Sequence, residues 1–100
     1  MAYALYSNGK YLGPLAPIGL LYQMEQVVEQ YERAHHRKES IAALSAFFER
    51  GESKAIPKLI KDISKLLTSG KNLPPNIVQA FENLKQLATK AERHLMIGEA

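Results

Sequence analysis

The spacing of apolar residues changes once along the chain, near Pro17. Before that point Tyr3, Leu5, Tyr6, Tyr11 and Leu12 flank Asn8-Gly9, the preferred pair for a two-residue type I′ turn, in which both central residues need positive φ. Counted outward from the turn, Ser7 opposes Lys10, Tyr6 opposes Tyr11 and Leu5 opposes Leu12. Alternation then puts Ala4, Tyr6 and Tyr11 on one face and Tyr3, Leu5 and Leu12 on the other. Residues 1–16 are expected to form a hairpin and its lead-in, ended by Gly13-Pro14 and Pro17. A two-stranded hairpin is marginal in water, so one of its faces needs a cover.

Beyond Pro17 the period lengthens to three and four. Leu21, Met24, Val28 and Tyr31 define an amphipathic helix, with Leu20 and Val27 widening its stripe. Glu25, Glu29 and Glu32 precede His35, His36, Arg37 and Lys38, a charge order that suits the helix dipole. Ser40 is placed to cap a further helix through Ile41, Leu44, Phe47 and Phe48, ending before Gly51. Equally, residues 17–50 read as one long helix, because no Gly or Pro interrupts Leu20 to Arg50. A third helix is expected over 53–69, capped by Ser53, with Pro57 in its first turn and Gly70 at its end. Its buried side comprises Ile56, Leu59, Ile60, Ile63, Leu66 and Leu67. After a linker containing Pro74-Pro75, Ile77, Phe81, Leu84, Leu87, Ala91 and Leu95 predict a C-terminal helix over 75–97. The fold expected is mainly α, a single domain with a short N-terminal β-hairpin packed on a three- or four-helix bundle.

Composition narrows the function. The chain has 100 residues and no cysteine, which excludes disulfide frameworks, thiolate metal sites and cysteine nucleophiles. The N-terminus lacks a basic segment followed by an unbroken apolar run, so a signal peptide is not expected. No stretch reaches the roughly 18 apolar residues of a membrane span, and a cytoplasmic protein is the default expectation. The net charge of +3 is unevenly placed: residues 1–50 and 72–100 each balance to zero, whereas between Gly51 and Lys71 five lysines face only Glu52 and Asp62.

That excess has a geometry. At about 100° per residue Lys54, Lys58, Lys61 and Lys65 fall in an arc of about 60° opposite the apolar side of the third helix. Such a row can follow phosphates or meet an acidic surface, with salt-dependent affinity. It has no arginine for bidentate contacts and no aromatic ring for stacking, so a solvated face is favoured over nucleic-acid contact. A helix-turn-helix through Gly51-Glu52-Ser53 would present Lys54, Ala55 and Ile56 to the bases, and none of these reads a base edge well. Membrane-surface binding lacks inserting aromatic residues.

Enzymatic chemistry finds little support. His35 and His36 point about 100° apart on a helix and cannot share a metal ion, and Glu32 with His36 lacks a third ligand. His94 reads as a helix-end cation. Asp62 is the only aspartate, explained by pairs with Lys58 and Lys65. Glu25, Glu29 and Glu32 share a helix face beside Arg33 and read as solvated acids, and no glycine-rich phosphate loop occurs. No cofactor, metal or catalytic residue is expected.

All five tyrosines lie in the first third of the chain, and tyrosine is enriched at interfaces. If Leu5 and Leu12 face the helices, Tyr6 and Tyr11 form an exposed cross-strand pair beside an open strand edge. Phe47 and Phe48 cannot point the same way, so Phe48 is a candidate for contact with a second subunit. The expected function is a small non-enzymatic protein-interaction module, an adaptor, regulator or inhibitor, with Tyr6, Tyr11 and Phe48 as partner contacts and a homodimer as one arrangement. The alternative is a nucleic-acid-binding accessory protein using Lys54, Lys58, Lys61 and Lys65.

Overall fold

The computed structural model describes residues 1–35, 40–69 and 72–100. Strands β1 (Ala2–Ser7) and β2 (Lys10–Pro17) open the chain. Helices α1 (Ile18–His35) and α2 (Ala42–Arg50) follow, then a two-residue strand β3 (Glu52–Ser53), helices α3 (Ile56–Ser69) and α4 (Pro75–Thr89), and strand β4 (Leu95–Glu99). The strands form one antiparallel sheet in the order β2-β1-β4-β3. The fold is therefore mixed α and β, with the N-terminal hairpin as half of a four-stranded sheet.

The hairpin turn is as expected: Asn8 and Gly9 have φ of 53° and 80°. Its register departs from simple alternation. Tyr6 pairs with Tyr11, but Leu5 pairs with Gly13 and Tyr3 with Ala16, so Leu12 and Leu15 are each passed over as a bulge on β2. Strand β2 also runs on through Gly13-Pro14 to Pro17. Proline is tolerated there because β2 is an edge strand and need not donate outward.

The C-terminal helix stops at Thr89, eight residues short of the expected end. Lys90 and Ala91 donate to the carbonyls of Leu87 and Ala88, three residues back, which tightens the last turn, and Arg93 at φ 66° turns the chain out of the helix. Leu95 and Ile97 then face the core as alternate residues of β4, which pairs with the centre of β1. His94 is thus not a helix-end cation: it directly precedes β4, and its Nε2 lies 2.9 Å from Oε1 of Glu52 in β3.

Residues 17–50 hold two helices. Glu32 closes the corner, its carboxylate accepting the Ser40 hydroxyl and the Ile41 amide. Ser40 therefore does not cap α2, which has no cap from its own segment. Its cap comes from α3: Asp62 Oδ2 accepts the amides of Ala43 and Leu44 at 2.9 and 3.1 Å. A carboxylate at a helix N-terminus satisfies orphan amides and complements the dipole, which explains a buried aspartate better than pairs with Lys58 and Lys65. Gly51, at φ 75°, ends α2 with its amide on the Phe47 carbonyl. Ser53 Oγ accepts the Ala55 amide, just before α3, rather than an amide inside that helix. Residues 36–38, 70 and 71, which carry the expected His36, Arg37, Lys38, Gly70 and Lys71 features, lie outside the described residues.

One core joins sheet and helices: Leu5, Leu15 and Leu95 meet Met24 and Val28 of α1, Leu44 and Phe47 of α2, Leu59, Ile63 and Leu66 of α3, and Phe81 and Leu84 of α4. Helix α2 packs against α1 on one side and α3 on the other, which sets the geometry of the surfaces described next.

Candidate functional site

Two surfaces carry the residues singled out by the sequence. The first is the outer face of the sheet. There Tyr6 stands edge-on to Tyr11, with ring centroids 5.7 Å apart. Tyr6 is bound into its own chain: its ring lies over Gly98, where an added Cβ would come within 2.9 Å of Cε1, and its hydroxyl donates to the Glu99 carbonyl at 2.8 Å. Tyr11 is 54% exposed and Met96, which pairs with Tyr6 across the strands, is 37% exposed. The strand edge beside them is guarded. Pro14 and Pro17 lack amide hydrogens, Asn83 Nδ2 donates to the Pro14 carbonyl, and two bulges interrupt β2, so strand addition is disfavoured.

Phe48 is half-buried, with rings of Phe47 and Phe81 edge-on at 5.6 and 6.3 Å. Its remaining surface floors a cleft of about 380 Å³ between α1 and α2, lined also by Val28, Ser45, Glu25, Glu29 and Glu49. Glu29 is paired with Arg33 at 2.9 Å.

The second surface is the flank of α3. The apolar positions Ile56, Leu59, Ile63 and Leu66 are buried, which turns Lys58 and Lys61 outward, both exposed. Lys54 lies two residues ahead of α3 rather than on it, and is exposed in the loop after β3. Lys65 is half-buried and its ammonium donates to the Ser40 carbonyl at 3.4 Å. Lys54, Lys58 and Lys61 have no ion pair among the described residues.

Beside this row runs a groove against α2. Near the start of α2 a hollow of about 300 Å³ is lined by Ala42, Ala43, Lys58, Lys61, Asp62 and Lys65. Near its end a hollow of about 570 Å³ is lined by Ala43, Ala46, Arg50, Glu52, Ser53, Lys54 and Ala55. The groove's alanines, Arg50 and the capping role of Asp62 were not anticipated from the sequence. The signal was there: Ile41, Leu44 and Phe47 define a core side, and its opposite carries Ala42, Ala43 and Ala46 where a solvated helix usually carries charge.

A third hollow, about 460 Å³, lies by the hairpin tip among Ser7, Asn8, Lys10, Tyr11, Leu12, Lys90 and Glu92. Its Ser7 and Asn8 side chains are already bonded to the Glu92 backbone. Among the described residues no three His, Asp or Glu side chains gather where they could hold a metal, and no helix is long and apolar enough to cross a membrane. No protein-family model, curated protein or solved structure matches the chain.

Proposed function

We propose that the chain is a small non-enzymatic interaction module, an adaptor, regulator or inhibitor, that docks on a larger protein assembly through the α2–α3 groove. In this reading the four helices act as a compact bundle backed by the sheet, and the module works in the cytoplasm, a setting that its lack of cysteine suits. The observation that carries the proposal is the set of exposed cations, Lys54, Lys58 and Lys61 with Arg50, without ion pairs among the described residues, along hollows that α2 lines with Ala42, Ala43 and Ala46. Small floor residues allow a partner's backbone to approach closely, and unpaired ammonium groups steer an acidic surface to that floor. Tyr6 is occupied by its own sheet, so the part of an anchor falls to the groove, with Tyr11 and Met96 as a separate exposed patch.

Contact with nucleic acid is the second reading, supported by Arg50 standing in the same hollow as Lys54, which supplies the guanidinium that the lysine row lacks. No aromatic side chain lines either basic hollow to stack a base, which weighs against it.

Fluorescence anisotropy with three labelled probes, an acidic helical peptide, single-stranded RNA and duplex DNA, separates the readings when titrated from low to physiological salt. Docking predicts that the peptide binds and keeps measurable affinity at physiological salt while both nucleic acids are lost. Tighter binding of RNA or DNA than of the peptide, with a steep salt slope, would replace it with the second reading.

A further inference from the structure

The two grooves that flank α2 are opposite in sign. On the α1 side stand Glu25, Glu49 and Glu29, the last paired with Arg33, and on the α3 side Arg50, Lys54, Lys58 and Lys61 outweigh Glu52 and the inward-turned Asp62. They also follow the same order along α2. Glu32 meets the start of α2 at Ile41, so Glu25, seven residues earlier on α1, stands toward the Glu49 end. On the other flank Asp62 meets the start of α2 at Ala43 and Leu44, while Lys54 lines the hollow that holds Arg50 at the far end. The ridge between the grooves is built from Ala42, Ser45 and Ala46, none of which is fully buried.

We infer that the chain forms a two-fold homodimer about α2, in which each acidic cleft receives the basic groove of a second copy. A two-fold axis running along α2 exchanges its left and right flanks, so acid meets base on both sides at once and the contact closes on itself. An axis perpendicular to α2 in the same plane would set acid against acid. With the axis along α2, Glu49 and Glu25 meet Arg50 and Lys54 of the other copy, Glu29 meets Lys58, and the small ridge lets the two α2 helices approach. The inference rests on the reading that the α3 flank is a contact surface. Because it uses that same flank, self-association competes with an acidic partner: the dimer is the resting form that such a partner opens.

Sedimentation velocity of the purified chain tests this at two ionic strengths, chosen because the screening length falls from about 30 Å at 0.01 M to about 8 Å at 0.15 M. The wild-type chain is expected to dimerise at low salt, and a weakening of roughly tenfold or more is expected for R50E/K54E and for E25K/E49K. The two variants mixed together should form a heterodimer, since the charges reversed at 50 and 54 in one then face those reversed at 25 and 49 in the other. Recovery in the mixture also shows that both variants fold. A wild-type chain that stays monomeric at low salt, or a dimer that survives both reversals, overturns the inference. In the first of these outcomes, acidic-peptide binding by the same monomer leaves the docking function standing, and its absence removes both.

Discussion

The outer face of the sheet and the outer flank of α3 both carry side chains that a sequence reader marks for recognition, yet the fold treats them differently. On the sheet, Tyr6 fills the space left by Gly98 and donates to the Glu99 carbonyl, so the more central ring of the pair stabilises a strand 93 residues away in sequence. On α3, Lys58 and Lys61 extend into solvent, and the nearby carboxylate that would neutralise them, Asp62, is turned inward to cap α2. The contrast shows that exposure in a sequence pattern is not availability. An aromatic ring over a glycine is part of the architecture, whereas an ammonium group whose natural partner is engaged elsewhere remains open to another molecule.

Substitutions can break that contrast, and the largest effect is expected beneath the lysine row. Asp62→Ala removes two charge-assisted caps from α2 at a buried position, at a cost of about 2–3 kcal/mol, or roughly 10–20 °C in Tm for a domain of this size. Asp62→Asn keeps one acceptor oxygen and should recover part of the loss in the same thermal melt. Next comes Gly98→Ala, whose added Cβ would meet the rigid Tyr6 ring at 2.9 Å. Displacing the ring should cost about 1–3 kcal/mol, measured by urea unfolding. Tyr6→Phe keeps the ring and loses only the hydroxyl bond to Glu99, an expected cost of about 0.5–1.5 kcal/mol. Smallest of all, Lys58→Ala with Lys61→Ala should leave unfolding within about 0.5 kcal/mol of wild type, because both side chains are exposed and neither has an ion pair among the described residues. A destabilisation by the lysine pair as large as that of Gly98→Ala would erase the distinction between the two regions.

How much of this was legible beforehand depended on the range of the interactions. The Asn8-Gly9 turn, the Tyr6–Tyr11 pairing, the buried side of α3 and the Gly51 stop are set by residues a few positions apart, and local pattern reading finds them. The strand at Leu95–Glu99 was hidden because Leu84, Leu87, Ala91 and Leu95 continue a helical period, while the evidence for a strand lies in β1 at the opposite end of the chain. The same applies to Asp62. Its lysine neighbours on α3 offer a local explanation, and only tertiary packing brings the α2 amides within reach. The lysine row was legible as a stripe, but Lys54 proved to precede the helix and Lys65 to be tied to the Ser40 carbonyl. The groove beside the row could not be read, since it requires knowing that α2 packs alongside α3 with its alanines facing the gap.

The most direct test sets the two regions against each other in one binding assay. A labelled acidic helical peptide is titrated with wild-type protein, with Tyr11→Ala and with K58E/K61E, each first checked for helicity by circular dichroism. Tyr11→Ala is expected to bind within about twofold of wild type, while K58E/K61E loses roughly tenfold or more. Loss with Tyr11→Ala and retention with K58E/K61E would contradict it, moving the contact surface from the flank of α3 to the outer face of the sheet.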